Sequence, residues 1–222
     1  MSIYKRRAFL TKLPMPITEE TLTGICKSRD HIIAKVVRIN DLMQFMQMFR
    51  NDDVKVLFLA RDPRGMAASR DKRFLHAIDT HVNKSADGVR PLHPRLVDYV
   101  VEHCQWLETN YKAITEGSTW LQNNAMLVRY EDMAMYPYKV VPKMLQFVGI
   151  NGSTPVEGSA PHADSASKKW RRYFSYEEVK EIQDLCSDRL YDLFGWKRVQ
   201  SKLDFIDETN TFIGSMPKAA LE

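Results

Sequence analysis

Arg61, Arg64, Ser69 and Arg70 stand within ten residues of one another in this chain. A guanidinium fork matches paired oxygens and a hydroxyl adds a single hydrogen bond, so the grouping suits an anion such as phosphate. The flanking residues indicate how it would be presented. Val56, Leu57, Phe58, Leu59 and Ala60 form a continuous apolar run, as in a parallel strand covered on both faces. Pro63 suits the first turn of a helix, and Ala67 and Ala68 carry that helix on. The free amides of the helix start, the positive end of its dipole and the guanidinium groups would converge where the strand ends. An anion is the expected guest. In the competing account Arg61 and Arg64 are surface residues paired with Asp62 or Asp71.

Other elements must carry that turn. Residues 31–37 read as a strand ending at Arg38. Asp41 can cap a helix whose Leu42, Phe45, Met46 and Phe49 share a stripe. A helix over about 63–77 follows the strand at 54–60, and residues 79–94 form a long loop. Tyr99, Val100, Cys104, Leu107 and Tyr111 keep helical spacing across 96–115. Residues 125–128 make a second buried strand, ending at Arg129 and Tyr130. Pro137 opens a helix closed by Gly149, and residues 151–169 read as a second loop. Ser175-Tyr176-Glu177-Glu178 is a capping box for a helix running to Leu193. The first 25 residues read as irregular and 197–222 as a loose tail. Strands alternating with helices imply a parallel α/β sheet, with ligands at the strands' carboxyl ends, where Arg38, Arg61 and Tyr130 fall.

Composition bounds the rest. The chain has 222 residues, enough for one substantial core. With 44% apolar and 27% charged residues, 9 Gly and 10 Pro, it is neither disordered nor fibrous. A net charge of +4 is mildly favourable for an anionic nucleotide or acidic glycan, and nothing points to nucleic acid. No apolar stretch reaches membrane-spanning length, and the basic N-terminus lacks a signal peptide's apolar core. Cys26, Cys104 and Cys186 and the 6 His lack metal-ligand spacing, so no metal is expected. Cys104 and Cys186 read as small buried hydrophobes, or, in an oxidising lumen, two of the three cysteines form one disulfide of unassigned pairing. Asn83 and Asn151 head glycosylation sequons.

The run Leu59-Ala60-Arg61-Asp62-Pro63-Arg64-Gly65-Met66-Ala67-Ala68-Ser69-Arg70 resembles the 3′-phosphate-binding segment of carbohydrate sulfotransferases, in particular the galactose and N-acetylglucosamine 6-O-sulfotransferase group. Two further blocks are similar to the same family in the same order: Leu127-Val128-Arg129-Tyr130-Glu131-Asp132-Met133 and Ser165-Ala166-Ser167-Lys168-Lys169-Trp170-Arg171-Arg172. Upstream, Cys26 and residues 31–38 match the strand preceding the phosphate segment. The resemblance spans about residues 20–196. It implies an α/β fold with a P-loop-like parallel sheet flanked by helices, incomplete at its N-terminal strand. Residues 1–25 would be an irregular leader, 26–196 the sulfotransferase-like domain and 197–222 a tail.

The resemblance also implies the reaction: sulfate moves from 3′-phosphoadenosine 5′-phosphosulfate, an adenine nucleotide co-substrate, to a sugar hydroxyl of a glycan or glycosaminoglycan. The nucleotide would be held by Arg61, Asp62, Pro63, Arg64, Gly65, Met66, Ala67, Ala68 and Ser69, with Arg61 and Ser69 on the 3′-phosphate. Tyr130 would lie near the adenine, and Lys168, Trp170 and Arg171 would close over the nucleotide, a solvated basic run being the competing account. Asp41 stands roughly where relatives place an acidic or His base. Glu131 and Asp132 read as structural. Relatives work in the Golgi lumen behind an N-terminal membrane anchor. They also begin with a Ser/Gly-rich loop for the 5′-phosphosulfate, which does not precede Cys26 here. The expectation is a shortened sulfotransferase, the alternative a catalytically inactive relative that binds nucleotide or glycan or regulates a partner. A P-loop kinase-like enzyme is a third reading, opposed by the lack of a Gly-x-x-x-x-Gly-Lys segment.

Overall fold

The computed structural model describes residues 18–37, 39–46, 53–74, 91–150 and 163–215. Arg38, both sequons and most of the expected loop at 79–94 lie outside the described residues. The chain divides into two compact units, Met1–Ile39 and Asn40–Glu222.

In the first unit the expected irregular leader contains a helix, α1 (Glu19–Lys27). Thr18 starts it by accepting a hydrogen bond from the Thr21 amide at 3.1 Å, and Glu19 and Glu20 complement the positive end of the helix dipole. The strand expected over 31–37 is not formed. These residues are irregular and exposed, Ile33 by 88%, although their apolar pattern is strand-like. A strand exists only where a neighbour completes its hydrogen bonds, and none is paired with this segment among the described residues.

The second unit begins with α2 (Leu42–Met46), followed by β1 (Val56–Ala60) and α3 (Pro63–Phe74). Then come α4 (Pro94–Glu116), α5 (Thr119–Asn124) and β2 (Ala125–Arg129). The helices α6 (Tyr130–Met135), α7 (Pro137–Phe147), α8 (Ala163–Tyr173), α9 (Tyr176–Asp184), α10 (Asp188–Phe194) and α11 (Lys202–Ile206) complete the order. The two strands pair in parallel, from Val56 opposite Ala125 to Ala60 opposite Arg129, as the α/β reading expected. One expectation for β1 fails: Phe58 and Ala60 are buried, but Leu57 and Leu59 are 38% and 45% exposed, so only one face is covered among the described residues.

Helix α3 packs against α4, α8 and α9, burying Met66, Ala67 and Ala68. Its small residues let those neighbours approach closely. Gly149 closes α7 with φ of +76°, a left-handed conformation that costs glycine little. The capping box at Ser175 forms with both reciprocal hydrogen bonds. The helix it opens ends at Asp184 instead of continuing to Leu193, because the Ser187 hydroxyl accepts from the Leu190 amide and starts α10 afresh.

The segment expected as a loose tail is integrated as far as residue 215. Val199 and Phe212 are buried, and Trp196 and Ile213 form an antiparallel bridge. Cys104 on α4 and Cys186 just after α9 form a disulfide with Cα atoms 5.7 Å apart, fixing a pairing the sequence left open. Among the described residues no helix is long and apolar enough to cross a membrane.

Candidate functional site

Because Ala60 and Arg129 end their strands opposite each other, the next residues, Arg61 and Tyr130, emerge side by side at the carboxyl edge. The Arg61 guanidinium carbon lies 4.6 Å from the centre of the Tyr130 ring. The Arg61 side chain runs along Gly65, where an added Cβ would come within 3.4 Å of Nε. Residues four apart share a helix face, so Ser69, half-buried, stands one turn beyond Gly65 on the face that Arg61 follows. Arg61 Nε is buried and has no hydrogen-bond partner among the described residues. Arg61, Gly65 and Tyr130 are thus brought together, with Ser69 one helical turn on and an unmet donor among them.

The helix start itself is differently arranged from the expectation. Asp62 caps α3: its Oδ1 accepts from the Arg64 amide at 2.8 Å, while its carbonyl accepts from Met66. The amide expected to face an anion is therefore already met by a carboxylate.

Arg64 also turns inward. It is fully buried and donates to Asp62 through Nε and Nη2, to Gln183 Oε1 at 3.0 Å and to the Lys197 carbonyl at 2.9 Å. Burial opposes its charge, and the Asp62 carboxylate more than offsets this, raising the guanidinium's pKa. Its side chain is built into the core and away from any surface ligand. The side chains of Asp62, Pro63, Met66, Ala67 and Ala68 are likewise buried, which leaves Arg61, Ser69 and the exposed Arg70, whose guanidinium lies 5.5 Å from the centre of the Tyr99 ring, as the accessible side-chain donors of this segment.

The expected loop carrying Lys168, Trp170 and Arg171 is the helix α8. Trp170 is 3% exposed, with Arg64 4.5 Å above its ring and Phe212 5.7 Å to one side. Arg171 donates to the carbonyls of Asp204, Phe205, Asp207 and Asn210, pinning the chain around α11. Trp170 and Arg171 thus serve the fold, while Lys168 is half-buried on the same helix. Asp41 accepts from the Met43 amide and so caps α2, whose Leu42 amide reaches Asn110. Asn110 lies two turns along α4 from His103, about 10 Å at helical rise, so Asp41 is not brought to the Arg61 edge.

Two further groups are brought to that edge: His103, which the sequence does not single out, and Glu131, which it marks as structural. His103 Nε2 donates to the Arg61 carbonyl at 2.9 Å, and burial of the ring lowers its pKa to about 4, leaving it neutral. Glu131 Oε1 accepts from the Asp62 amide at 3.0 Å, and Oε2 accepts from Trp196 Nε1 at 3.3 Å. Burial, then the nearby Asp62 carboxylate, pushes the Glu131 carboxyl up to about 7. Neither has a local signature, since each acts on a residue 42 or 69 positions away. Arg129 is the last residue of β2. It is buried, pairs with Asp132 at 2.6 Å and donates to the carbonyls of Phe194 and Gly214, so it ties β2 to the C-terminal segment.

Arg61 and Tyr130 meet at the carboxyl edge of the two strands, in the stretch whose sequence resembles the 3′-phosphate-binding segment of carbohydrate sulfotransferases. The sulfotransferase domain profile matches residues 6–160. The chain belongs to that family. Among its relatives, carbohydrate sulfotransferase 3 of Mus musculus is 26% identical over 220 residues, covering 86% of this chain and 46% of the relative. Carbohydrate sulfotransferase 1 of Rattus norvegicus is 28% identical over 198 residues, or 80% of this chain and 47% of its own length. Carbohydrate sulfotransferase 2 of Homo sapiens is 24% identical over 232 residues, with 85% and 44% covered. The chain spans less than half the length of these relatives. In this sulfotransferase-family chain the Arg61 edge falls inside the matched residues and α8 lies beyond them.

Proposed function

We propose that this chain binds 3′-phosphoadenosine 5′-phosphosulfate by its 3′-phosphate, on Arg61 and Ser69, and takes part in sulfating a glycan or glycosaminoglycan at a sugar 6-hydroxyl. The buried Arg61 Nε, which has no acceptor among the described residues, carries this reading. A buried donor left unmet costs about 1–3 kcal/mol, and a phosphate oxygen removes that cost. Gly65 lets the arginine lie flat against α3, Ser69 adds a hydroxyl on the same face, and Tyr130 would flank the adenine.

In the transfer, the sugar oxygen bonds to sulfur as the bond from sulfur to the phosphate oxygen breaks. This yields a sulfate ester, adenosine 3′,5′-bisphosphate and a proton from the hydroxyl. Binding and orientation are the parts these residues would supply, as in phosphoryl transfer. The Cys104–Cys186 disulfide supports an oxidising setting, which fits the Golgi lumen that the resemblance implies.

The test is calorimetric titration of adenosine 3′,5′-bisphosphate into the wild type, Arg61→Ala and Ser69→Ala. Loss of a charge-assisted contact should weaken binding by roughly tenfold to over a hundredfold, with melting temperature nearly unchanged. Wild-type affinity in Arg61→Ala would remove the reading.

A further inference from the structure

The carbonyl of Arg61 and the amide of Asp62 are the two ends of one peptide group. That group lies just past the last paired residues of the sheet, Ala60 and Arg129, so the ladder cannot satisfy it. The peptide is trans and its two ends point in opposite directions. His103 on α4 meets the oxygen at 2.9 Å, and Glu131 on α6 meets the N–H at 3.0 Å. Each partner is itself held. The His103 ring stacks on Trp106, which packs against Phe58 of β1, and Glu131 receives the indole N–H of Trp196. The next residue after His103 is Cys104, bonded to Cys186, so this stretch of α4 is tied down covalently.

We propose that His103 and Glu131 are positioning residues that grip the Arg61–Asp62 peptide from both sides and so aim the Arg61 guanidinium at its anion. The inference rests on the reading of Arg61 as a phosphate ligand. Displacement of this peptide would carry the Cα of Arg61 with it, and the guanidinium at the far end of the side chain would move by more than the tolerance of a bidentate contact. His103 is suited to the task because its neutral ring carries one N–H, directed at the carbonyl. Glu131 is suited because its two oxygens accept two N–H groups on different elements.

The experiment titrates adenosine 3′,5′-bisphosphate into the full chain carrying His103→Gln, His103→Asn, Glu131→Gln or Arg61→Ala, at low and high salt, with melting temperatures alongside. The Gln amide reaches the position of the His Nε2, so His103→Gln should bind within about threefold of wild type. Asn offers the same chemistry but stops short, and His103→Asn should bind about tenfold more weakly. Its affinity should also lose salt dependence, as in Arg61→Ala, an effect that a purely structural residue would not produce. Glu131→Gln should weaken binding as well, since its NH₂ would confront the Trp196 N–H. Wild-type binding in Arg61→Ala would overturn the underlying phosphate reading. Weak binding in Arg61→Ala with His103→Asn and Glu131→Gln unaffected would overturn the grip alone. If His103→Asn fails to fold, Glu131→Gln decides from the other side of the peptide. If neither folds, the pair is a folding device and the proposal falls.

Discussion

The guanidinium of Arg61 lies 4.6 Å from the centre of the Tyr130 ring, and this contact joins the two strands' carboxyl ends across the candidate phosphate site. A cation over an aromatic ring at a partly exposed position contributes about 0.5–1 kcal/mol. Tyr130→Leu removes that platform and should weaken adenosine 3′,5′-bisphosphate binding by roughly twofold to fivefold. Tyr130→Phe keeps the ring and should bind like wild type. Equal affinity for all three proteins in calorimetry would show that the ring does not support Arg61.

Arg64 looks equivalent to Arg61 in sequence and is opposite to it in role. Removing one partner of a buried ion pair leaves the other charge uncompensated, at about 3–5 kcal/mol. Arg64→Met should therefore unfold at markedly lower urea concentration than wild type, and Arg64→Met with Asp62→Asn should recover part of the loss. Arg61→Ala should shift the urea midpoint little. A small effect of Arg64→Met would mean that the hydrogen bonds to Asp62, Gln183 and Lys197 are not formed in solution.

The contrast between these arginines marks how far the sequence could be read. The strand at 56–60, the turn, α3, the second strand and the capping box at Ser175 were all visible because each is decided by neighbours within a few residues. The inward turn of Arg64 depends on Gln183 and Lys197, which lie 119 and 133 positions away, and no local pattern announces them. The same holds for Arg171, whose carbonyl acceptors at 204–210 convert an expected loose tail into packed structure. Residues 31–37 fail in the other direction. Their apolar pattern is a sound strand signal, but a strand is a property of a pair. At the candidate site, the sequence places Arg61 and Tyr130 at strand ends, which the structure sets side by side, whereas the partners of the Arg61–Asp62 peptide, His103 and Glu131, stand 42 and 69 positions away and have no local signature for that contact.

The Cys104–Cys186 disulfide closes a loop of 82 residues. Restricting the unfolded chain over such a span stabilises by about 4.5 kcal/mol in the chain-entropy account. Cys104→Ser with Cys186→Ser should lower the melting temperature by well over 5 °C, and reductant should do the same to wild type while leaving the double variant unchanged. An identical effect of reductant on both proteins would place the sensitivity elsewhere.

His103 and Glu131 flank one peptide, and their titrations oppose each other. The folded His103 has a pKa of about 4 against an ordinary 6.5. Between those values the unfolded chain binds a proton that the folded chain refuses. This side therefore contributes stability that is complete above pH 6.5 and is lost as pH falls toward 4. Glu131 is raised to about 7 from 4.5, so between those values the folded chain keeps a proton that the unfolded chain releases. Its side contributes stability that is complete below pH 4.5 and is lost as pH rises through 7. From pH 4.5 to 6.5 the two slopes offset. Thermal melts from pH 4 to 8 should separate them: relative to wild type, His103→Gln loses stability as pH rises across this window, because only the Glu131 slope remains, and Glu131→Gln gains it. If both variants instead track the wild-type profile in parallel, burial is not shifting either group, and the two ends of the Arg61–Asp62 peptide sit in a wetter environment than their hydrogen bonds imply.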